Sequence, residues 1–498
     1  MGKNSTKGIW KVISASSMGT MIEWYDFYIF GSLAVVISTK FFPSDNPTAA
    51  FLSTLATFAA GFVVRPFGAL FFGRLGDIIG RKYTFMATLL LMGGSTFLIG
   101  CIPSYETIGF LAPLLVLILR LLQGLALGGE YGGAATYVAE HAPVGQKGYW
   151  TSWIQTTATV GLFISLMVIL ATKNVLSSEA FDSWGWRVPF WVSIVMVGIS
   201  YLIRKNMDES PVFAKAKKEG TTSKNPLKES FGNRYNLKFV LLALFGATMG
   251  QGVIWYTGQF YAMSFMKTVM NVESSQVDSL LGIALLLGTP FFIVFGWLSD
   301  KVGRKYIMML GMLIAIFSYR SIYKEMYTIT DLSYKTEIVE KTIQDIQKTA
   351  NNDIITTVSK TYTDGTTYIE KKTDFANKKK SQISVSININ SSDEWTLIFW
   401  VFLQVIFVTM VYGPIAAFLV EMFPTKIRYT SMSLPYHVGN GIFGGLLPAI
   451  STYLVTHSKT AGNTDFYLDG LWYPIIIASI CFVIGIVYVD NKNKFNHL

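Results

Sequence analysis

The chain is 498 residues long, 51% hydrophobic and only 14% charged, where a soluble domain carries about 25% charged residues. That balance excludes an ordinary soluble enzyme or binding module. The net charge of +10 raises nucleic acid as a partner, but the basic residues sort by side of a membrane, and no nucleic acid is expected.

Apolar runs follow one another at roughly 12–39, 49–72, 83–102, 109–137, 150–171, 188–204, 237–267, 276–298, 305–322, 395–422, 431–454 and 471–489. Each is long enough to cross the roughly 30 Å hydrocarbon core as a helix. The expected fold is therefore an all-α polytopic membrane protein with twelve transmembrane helices. The first run lacks a small-residue cleavage site and reads as a retained span. Lys3, Lys7 and Lys11 precede it, and Lys and Arg recur in the loops after spans 2, 4, 6, 8 and 10. The other side, one long insert aside, carries only Lys40, Lys173, Arg187, Lys267 and Lys459. This asymmetry predicts cytoplasmic termini and a multi-pass protein of the cell membrane, in bacteria the inner membrane. Cys101 and Cys481 both fall in spans, which leaves disulfides without a role.

After span 2, Gly73-Arg74-Leu75-Gly76-Asp77-Ile78-Ile79-Gly80-Arg81-Lys82 reads G-x-x-x-D-x-x-G-R-K, and the stretch from Gly296 to Lys305 after span 8 repeats it. Glu140-x-x-Pro143-x-x-x-Lys147 after span 4 returns as Glu421-x-x-Pro424-x-x-x-Arg428 after span 10. The chain is thus a duplicated unit. It divides into a six-helix half at 1–204, a Lys-rich cytoplasmic linker at 205–236 and a second six-helix half at 237–498. The second pair of motifs stands about 58 residues further apart than the first. The extra chain is a polar insert at 323–394, extracytoplasmic between spans 9 and 10, with Asp364-Gly365 as a hairpin signal. It is either a tolerated loop or a cap that gates the solute. Trp24-Tyr25 in span 1 matches Trp255-Tyr256 in span 7, while the flanking Glu23 and Asp26 become Ile254 and Thr257.

The duplicated motifs resemble those of the major facilitator superfamily. Gly19-Thr20-Met21-Ile22-Glu23-Trp24-Tyr25-Asp26-Phe27, Arg65-Pro66-Phe67-Gly68, the stretch from Arg120 to Gly133 and Trp186-Arg187-Val188-Pro189-Phe190 narrow the resemblance to its metabolite:H+ symporter family. The resemblance implies a small solute moved together with protons, and loops that help set the inward/outward equilibrium. Gly73, Gly80 and Gly303 suit a tight turn and close helix approach. Asp77 and Asp300 suit helix N-termini, where backbone N–H groups favour an anion. Arg81, Lys82, Arg304 and Lys305 lie at the inner membrane face. The candidate gating residues are Gly73, Asp77, Gly80, Arg81, Asp300, Gly303, Arg304, Glu140, Glu421 and Arg428, the alternative being a plain topology anchor.

Charges inside spans are costly, about 2.5–3.5 kcal/mol each on insertion scales. Glu23 and Arg120 both lie about 11 residues into their spans, roughly 16 Å deep. Glu23 and Asp26 share a helix face. An acid on span 1 against Arg120 on span 4 makes a proton switch or a permanent ion pair. The proton-coupling candidates are Asp26, then Glu23, with Arg120. Related superfamily symporters carry an aspartate near the place of Asp26. Candidate substrate-binding residues are Arg120, Arg65, Tyr25, Gln155, Gln251, Trp255, Tyr256 and Gln259. Arg65 and Glu130 line the solute path or form an inner gate, the alternative for each being a satisfied structural pair. His437 reads as packing or a buried hydrogen bond ahead of proton transfer, and Arg187 as an anchor of span 6.

No phosphate loop, metal-ligand cluster or hydrolase elbow occurs, so an enzyme, a cofactor and a bound metal are not expected. The partners are a small solute, protons and the lipid bilayer, with the chain acting as a monomer. Span 5 has Gly161 but no proline, against a drug:proton exporter. A non-transporting receptor on the same fold remains an alternative. Arg120 and Arg65 favour a carboxylate solute; the acids and aromatic pairs equally suit a zwitterion such as a betaine or proline. Organic acid is preferred.

Overall fold

The structure is a computed structural model, and it describes residues 4–42, 60–348, 354–374 and 381–490, together with 53, 54 and 57. Ten of its helices are long and apolar enough to cross a membrane: Arg81–Ile99, Leu111–His141, Lys147–Val175, Gly185–Lys205, Arg234–Thr268, Ser274–Val302, Arg304–Ile329, Ser391–Met422, Thr425–Thr460 and Phe466–Tyr488. They occupy the places of spans 3–12. Asn4–Ser32 continued by Ala34–Phe41 stands at span 1, and Arg65–Ile78 at span 2. Most of residues 49–59, where the sequence places the start of span 2, lie outside the described residues. Large apolar side chains such as Phe67, Leu170, Leu202 and Phe317 are exposed on the outside of the bundle. Such a surface is far more apolar than water tolerates and fits lipid.

The buried side chains fall into clusters that follow the chain. Two are drawn from residues before Phe213, and the largest is drawn from Val240 onward with Tyr131, Ala135 and Ala139. The groups join where span 2 packs on span 11 and span 5 on span 8. At the second crossing a Cβ on Gly148 would stand 2.4 Å from the Gly296 carbonyl oxygen, so the backbones touch only because both residues lack one. Spans 7 and 11 are locally widened, at Leu244–Thr248, Thr257–Tyr261 and Gly439–Gly444, into single π-helical turns. Such bulges free backbone groups and re-aim side chains, and they recur at functional sites. Here they contain Gln259, Asn440 and Gly441 and flank Trp255 and Tyr256.

The insert differs from a loop. Span 9 runs on to Ile329, past 323, because Tyr323 and Met326 are buried in the bundle. Beyond it a four-stranded antiparallel sheet forms in the order β1 (Ile343–Lys348), β2 (Ile354–Thr361), β3 (Thr367–Asp374) and β4 (Gln382–Asn388). The all-α expectation did not include this sheet. Asp364-Gly365 forms the β2–β3 turn, with Gly365 at φ 89°. The sheet is bonded to the bundle at two points. Ile387 N–H donates to Asn271 O at 2.8 Å, and Glu273 N–H donates to Ile387 O at 3.0 Å. Lys335 reaches both Asp364 and Asp393 at 2.6 Å, tying the β2–β3 turn to the start of span 10.

Candidate functional site

The duplicated motifs meet in two crossed contacts. Gly80 and Gly303, at φ 125° and 109°, turn the chain from span 2 into span 3 and from span 8 into span 9. A side chain would strain either turn. Asp77 accepts hydrogen bonds from the backbone N–H of Thr430 (2.8 Å) and Tyr429 (3.3 Å), at the start of the helix Arg428–Val438. Asp300 accepts from Gly148 N–H (2.8 Å) and Tyr149 N–H (2.7 Å), at the start of the helix Lys147–Gln155. Each carboxylate thus sits on a helix N-terminus of the other repeat, where the backbone dipole favours it. Each also pairs with the arginine four residues on: Arg81 at 3.1 Å and Arg304 at 2.7 Å.

The second motif completes the cluster. Arg304 grips Glu421 with two nitrogens, at 2.5 and 2.6 Å. Glu140 takes Arg428 at 2.7 Å and Arg81 at 3.6 Å. Lys147, the counterpart of Arg428, makes no ion pair within 4 Å among the described residues, so the two copies are unequal here. Sequence reasoning missed the linker's share. Ser210 Oγ donates to Glu140, and Glu209 accepts from the N–H groups of Arg81 and Lys82. Gly73 permits this closure, since its Cβ would lie 2.9 Å from Thr430 Cα.

Deeper in the bundle, Glu23 and Asp26 each face a different arginine. Asp26 Oδ2 is 3.1 Å from Arg120, which also donates to Gln123 Oε1 at 2.5 Å; Gln123 in turn donates to Thr96. Arg120 lies over the Phe30 ring at 4.2 Å. All of these belong to spans 1, 3 and 4. Glu23 instead lies 3.4 Å from Arg65.

The Glu23–Arg65 pair lines a small central cavity with Trp24, Trp255, Tyr256, Tyr412, Tyr436, His437, Asn440 and Gly441. Its free space is about 30 Å³, room for a water molecule but not a solute. Rings from the two repeats close it. Trp24 meets Trp255 at 4.9 Å between centroids, and Tyr131 stacks on Tyr436 at 3.8 Å and 5°. Tyr412 and Tyr436 share a 2.5 Å hydroxyl contact. Three nitrogens of lining residues are buried with no hydrogen-bond partner among the described residues: Arg65 Nε, Trp255 Nε1 and His437 Nε2.

Several expectations change. Tyr25 points away from the cavity: it is fully buried and its hydroxyl donates to Pro189 O at 2.6 Å. Trp24 takes the facing position instead, because one residue is about 100° of helix turn. Arg120 does not line the cavity; its guanidinium is held by Asp26 and Gln123. Glu130 does not line the cavity and makes a structural pair with Arg204 at 2.5 Å, one of the readings open for it. Gln155 lies one shell back, donating to Tyr131 at 2.7 Å, and Gln251 exchanges two 3.0 Å bonds with Asn440. Gln259 lies in a different cavity. Arg187 donates to the Gly100 and Ile102 carbonyls, holding spans 3 and 6 together. The missed residues are Tyr131, Tyr412, Tyr436 and Asn440. The Gly-Asn-Gly step at 439–441 inside an apolar run was their one sequence signal.

Comparison with known proteins agrees with this architecture. The profile of the family described as "Sugar (and other) transporter" matches residues 11–230. The alpha-ketoglutarate permease of Escherichia coli is 30% identical over 99% of this chain and 96% of its own length. The inner membrane metabolite transport protein YhjE of the same organism is 32% identical over 94% and 92%. A proline/betaine transporter of Salmonella typhimurium is 28% identical over 97% and 84%. Among solved structures, the proton:xylose symporter XylE bound to 6-bromo-6-deoxy-D-glucose superposes with a TM-score of 0.68 at 14% identity, over 97% and 95% of the two chains. The transporter FucP in the outward conformation gives 0.58 at 11%, over 95% and 97%. The chain therefore belongs to the major facilitator superfamily, as a membrane transporter of small metabolites and not an enzyme.

Proposed function

We propose that this transporter is a proton-coupled symporter that imports a small carboxylate by alternating access between its two six-helix halves, 1–204 and 237–498. The observation that carries the reading is Arg65. It lines the central cavity, its contact to Glu23 is long at 3.4 Å, and its Nε is buried without a partner. Buried donors without partners are rare and call for an explanation. A guanidinium with a spare N–H, in a cavity also lined by Trp255 with its indole N–H unpartnered, matches a carboxylate. The alpha-ketoglutarate permease among the relatives is consistent with this.

The two acid–arginine pairs supply the coupling. A solute carboxylate arriving at Arg65 competes with Glu23 and adds negative charge one helical turn from Asp26. Asp26, held by Arg120 in one state, takes up its proton when that contact loosens. The crossed Asp77 and Asp300 contacts hold the inner side closed and part in the opposite state. The basic side of the protein, with both termini, faces the cytoplasm, and the insert at 323–394 stands outside.

A zwitterion is the second reading. Trp24, Trp255, Tyr412 and Tyr436 offer ring faces to a quaternary ammonium, and proline/betaine transporters are also relatives. Charge movement in proteoliposomes on a solid-supported membrane separates the two. Carboxylates, betaines and sugars are applied in turn. Current with carboxylates alone supports the proposal, and current with betaines alone replaces it with the second reading. Binding without any solute flux would identify a receptor.

A further inference from the structure

A second cavity, apart from the central one, lies between spans 1 and 5 on one side and spans 7 and 8 on the other. It holds about 280 Å³, against about 30 Å³ at the centre. It opens at the end of the bundle away from the duplicated loops. Asp278 on its rim precedes Asp300 by 22 residues of one helix, roughly 33 Å. Two polar residues of span 7, Gln259 and Lys267, stand eight residues apart on one face and both line it. Gln259 is 5% exposed, and its side-chain amide makes no hydrogen bond to the described residues. At the mouth, Lys267 Nζ lies 2.6 Å from Asp278 Oδ1. Phe27 and Phe260 meet at 5.3 Å in its wall, and Phe260 meets Trp255 at 5.5 Å. This aromatic pair, one ring from each repeat, separates the second cavity from the central one.

Resting on the carboxylate reading above, we infer that this cavity is an outer vestibule site for the same class of solute. The solute carboxylate binds Lys267 in place of Asp278, its apolar part lies against Phe27 and Phe260, and the Gln259 amide supplies the deeper hydrogen bond. The site then loads the transporter while the centre is still closed. Asp278 acts as a built-in competitor: it holds Lys267 in the empty site and yields it to an incoming anion. Lys267 and Gln259 are binding residues of this vestibule, and Asp278 is a positioning residue that acts through Lys267.

The two members of this ion pair therefore have opposite effects. With alpha-ketoglutarate as probe in proteoliposome currents, Lys267→Gln raises KM about tenfold with kcat unchanged, as loss of binding common to ground and transition states requires. Gln259→Leu raises KM in the same way. Asp278→Asn lowers KM severalfold, because Lys267 is relieved of its competitor. A merely structural ion pair gives the same direction for Lys267→Gln and Asp278→Asn, and that result overturns the vestibule site. Absence of any alpha-ketoglutarate current in the unsubstituted protein overturns the carboxylate reading, and the vestibule with it. Current with unequal KM shifts in the stated directions supports both.

Discussion

Asp77 accepts a 2.8 Å hydrogen bond from the backbone N–H of Thr430, a residue of the other repeat. The same contact recurs in mirror form between Asp300 and Tyr149, at 2.7 Å. A short motif copied with the gene duplication thus docks each copy on the other. Charge-assisted bonds of this kind contribute about 1.5–3 kcal/mol each. Asp77→Asn or Asp300→Asn shifts the population toward the state open on this side by about tenfold or more. Distances between spin labels on the loops after spans 2 and 10 measure it. An unchanged distance distribution in both variants would reduce the motif to a topology anchor.

Arg65 is the cavity-lining arginine, and Arg120 is not. Arg65→Lys keeps the charge and loses the planar fork, which is not a conservative change at a bidentate site. KM for the carboxylate rises by about tenfold to a hundredfold. Arg120→Lys leaves solute binding nearly unchanged in an equilibrium binding assay and loses proton coupling. Equal loss of binding in both variants would contradict the assignment.

Trp24 and Tyr25 separate by one residue and by role. Tyr25→Phe removes one buried hydrogen bond to Pro189 O, at about 1 kcal/mol of stability, and transport persists. Trp24→Ala removes the ring that meets Trp255 and abolishes it. Thermal melting and uptake, measured on the same preparations, distinguish the two.

The insert is pinned to span 10 by charge. Partial burial pushes the Asp364 carboxyl up, but the Lys335 ammonium and the Thr366 N–H and hydroxyl pull it down further, to about 2. A depressed folded-state value means that the contact stabilises fully above the ordinary carboxylate range and is lost only as pH falls toward 2. Protection of β2 and β3 amides from hydrogen exchange, taken relative to the intrinsic rate at each pH, therefore holds down to about pH 4 and falls below it. Asp364→Asn lowers this protection at neutral pH. If protection begins to fall between pH 7 and 5, another group controls the docking.

Much of this was legible because membranes impose few solutions. Long apolar runs have to be helices, and the repeated Gly-x-x-x-Asp and Glu-x-x-Pro motifs stand out against them. The places of Asp77 and Asp300 on helix N-termini followed from their charge. The central cavity was harder. Trp24 and Tyr25 are neighbours in sequence, and only the packing of span 1 on spans 4–6 decides which one faces inward. The pairing of Glu23 with Arg65 and of Asp26 with Arg120 depends on rotations of three helices that sequence spacing leaves open. The sheet was visible only as one hairpin: β1 (IQDIQK) has no two-residue alternation, and the alternation of Gln382–Asn388 in β4 does not show which strand it pairs with.

The most direct measurement is solute accumulation driven by an imposed pH gradient, compared with counterflow in its absence, for the unsubstituted protein and for Asp26→Asn. With Asp26 as the proton site, the variant keeps carboxylate counterflow, since Arg65 and the central cavity are intact, and loses gradient-driven accumulation. Accumulation that survives in Asp26→Asn would contradict that assignment and move the proton to Glu23 or another group.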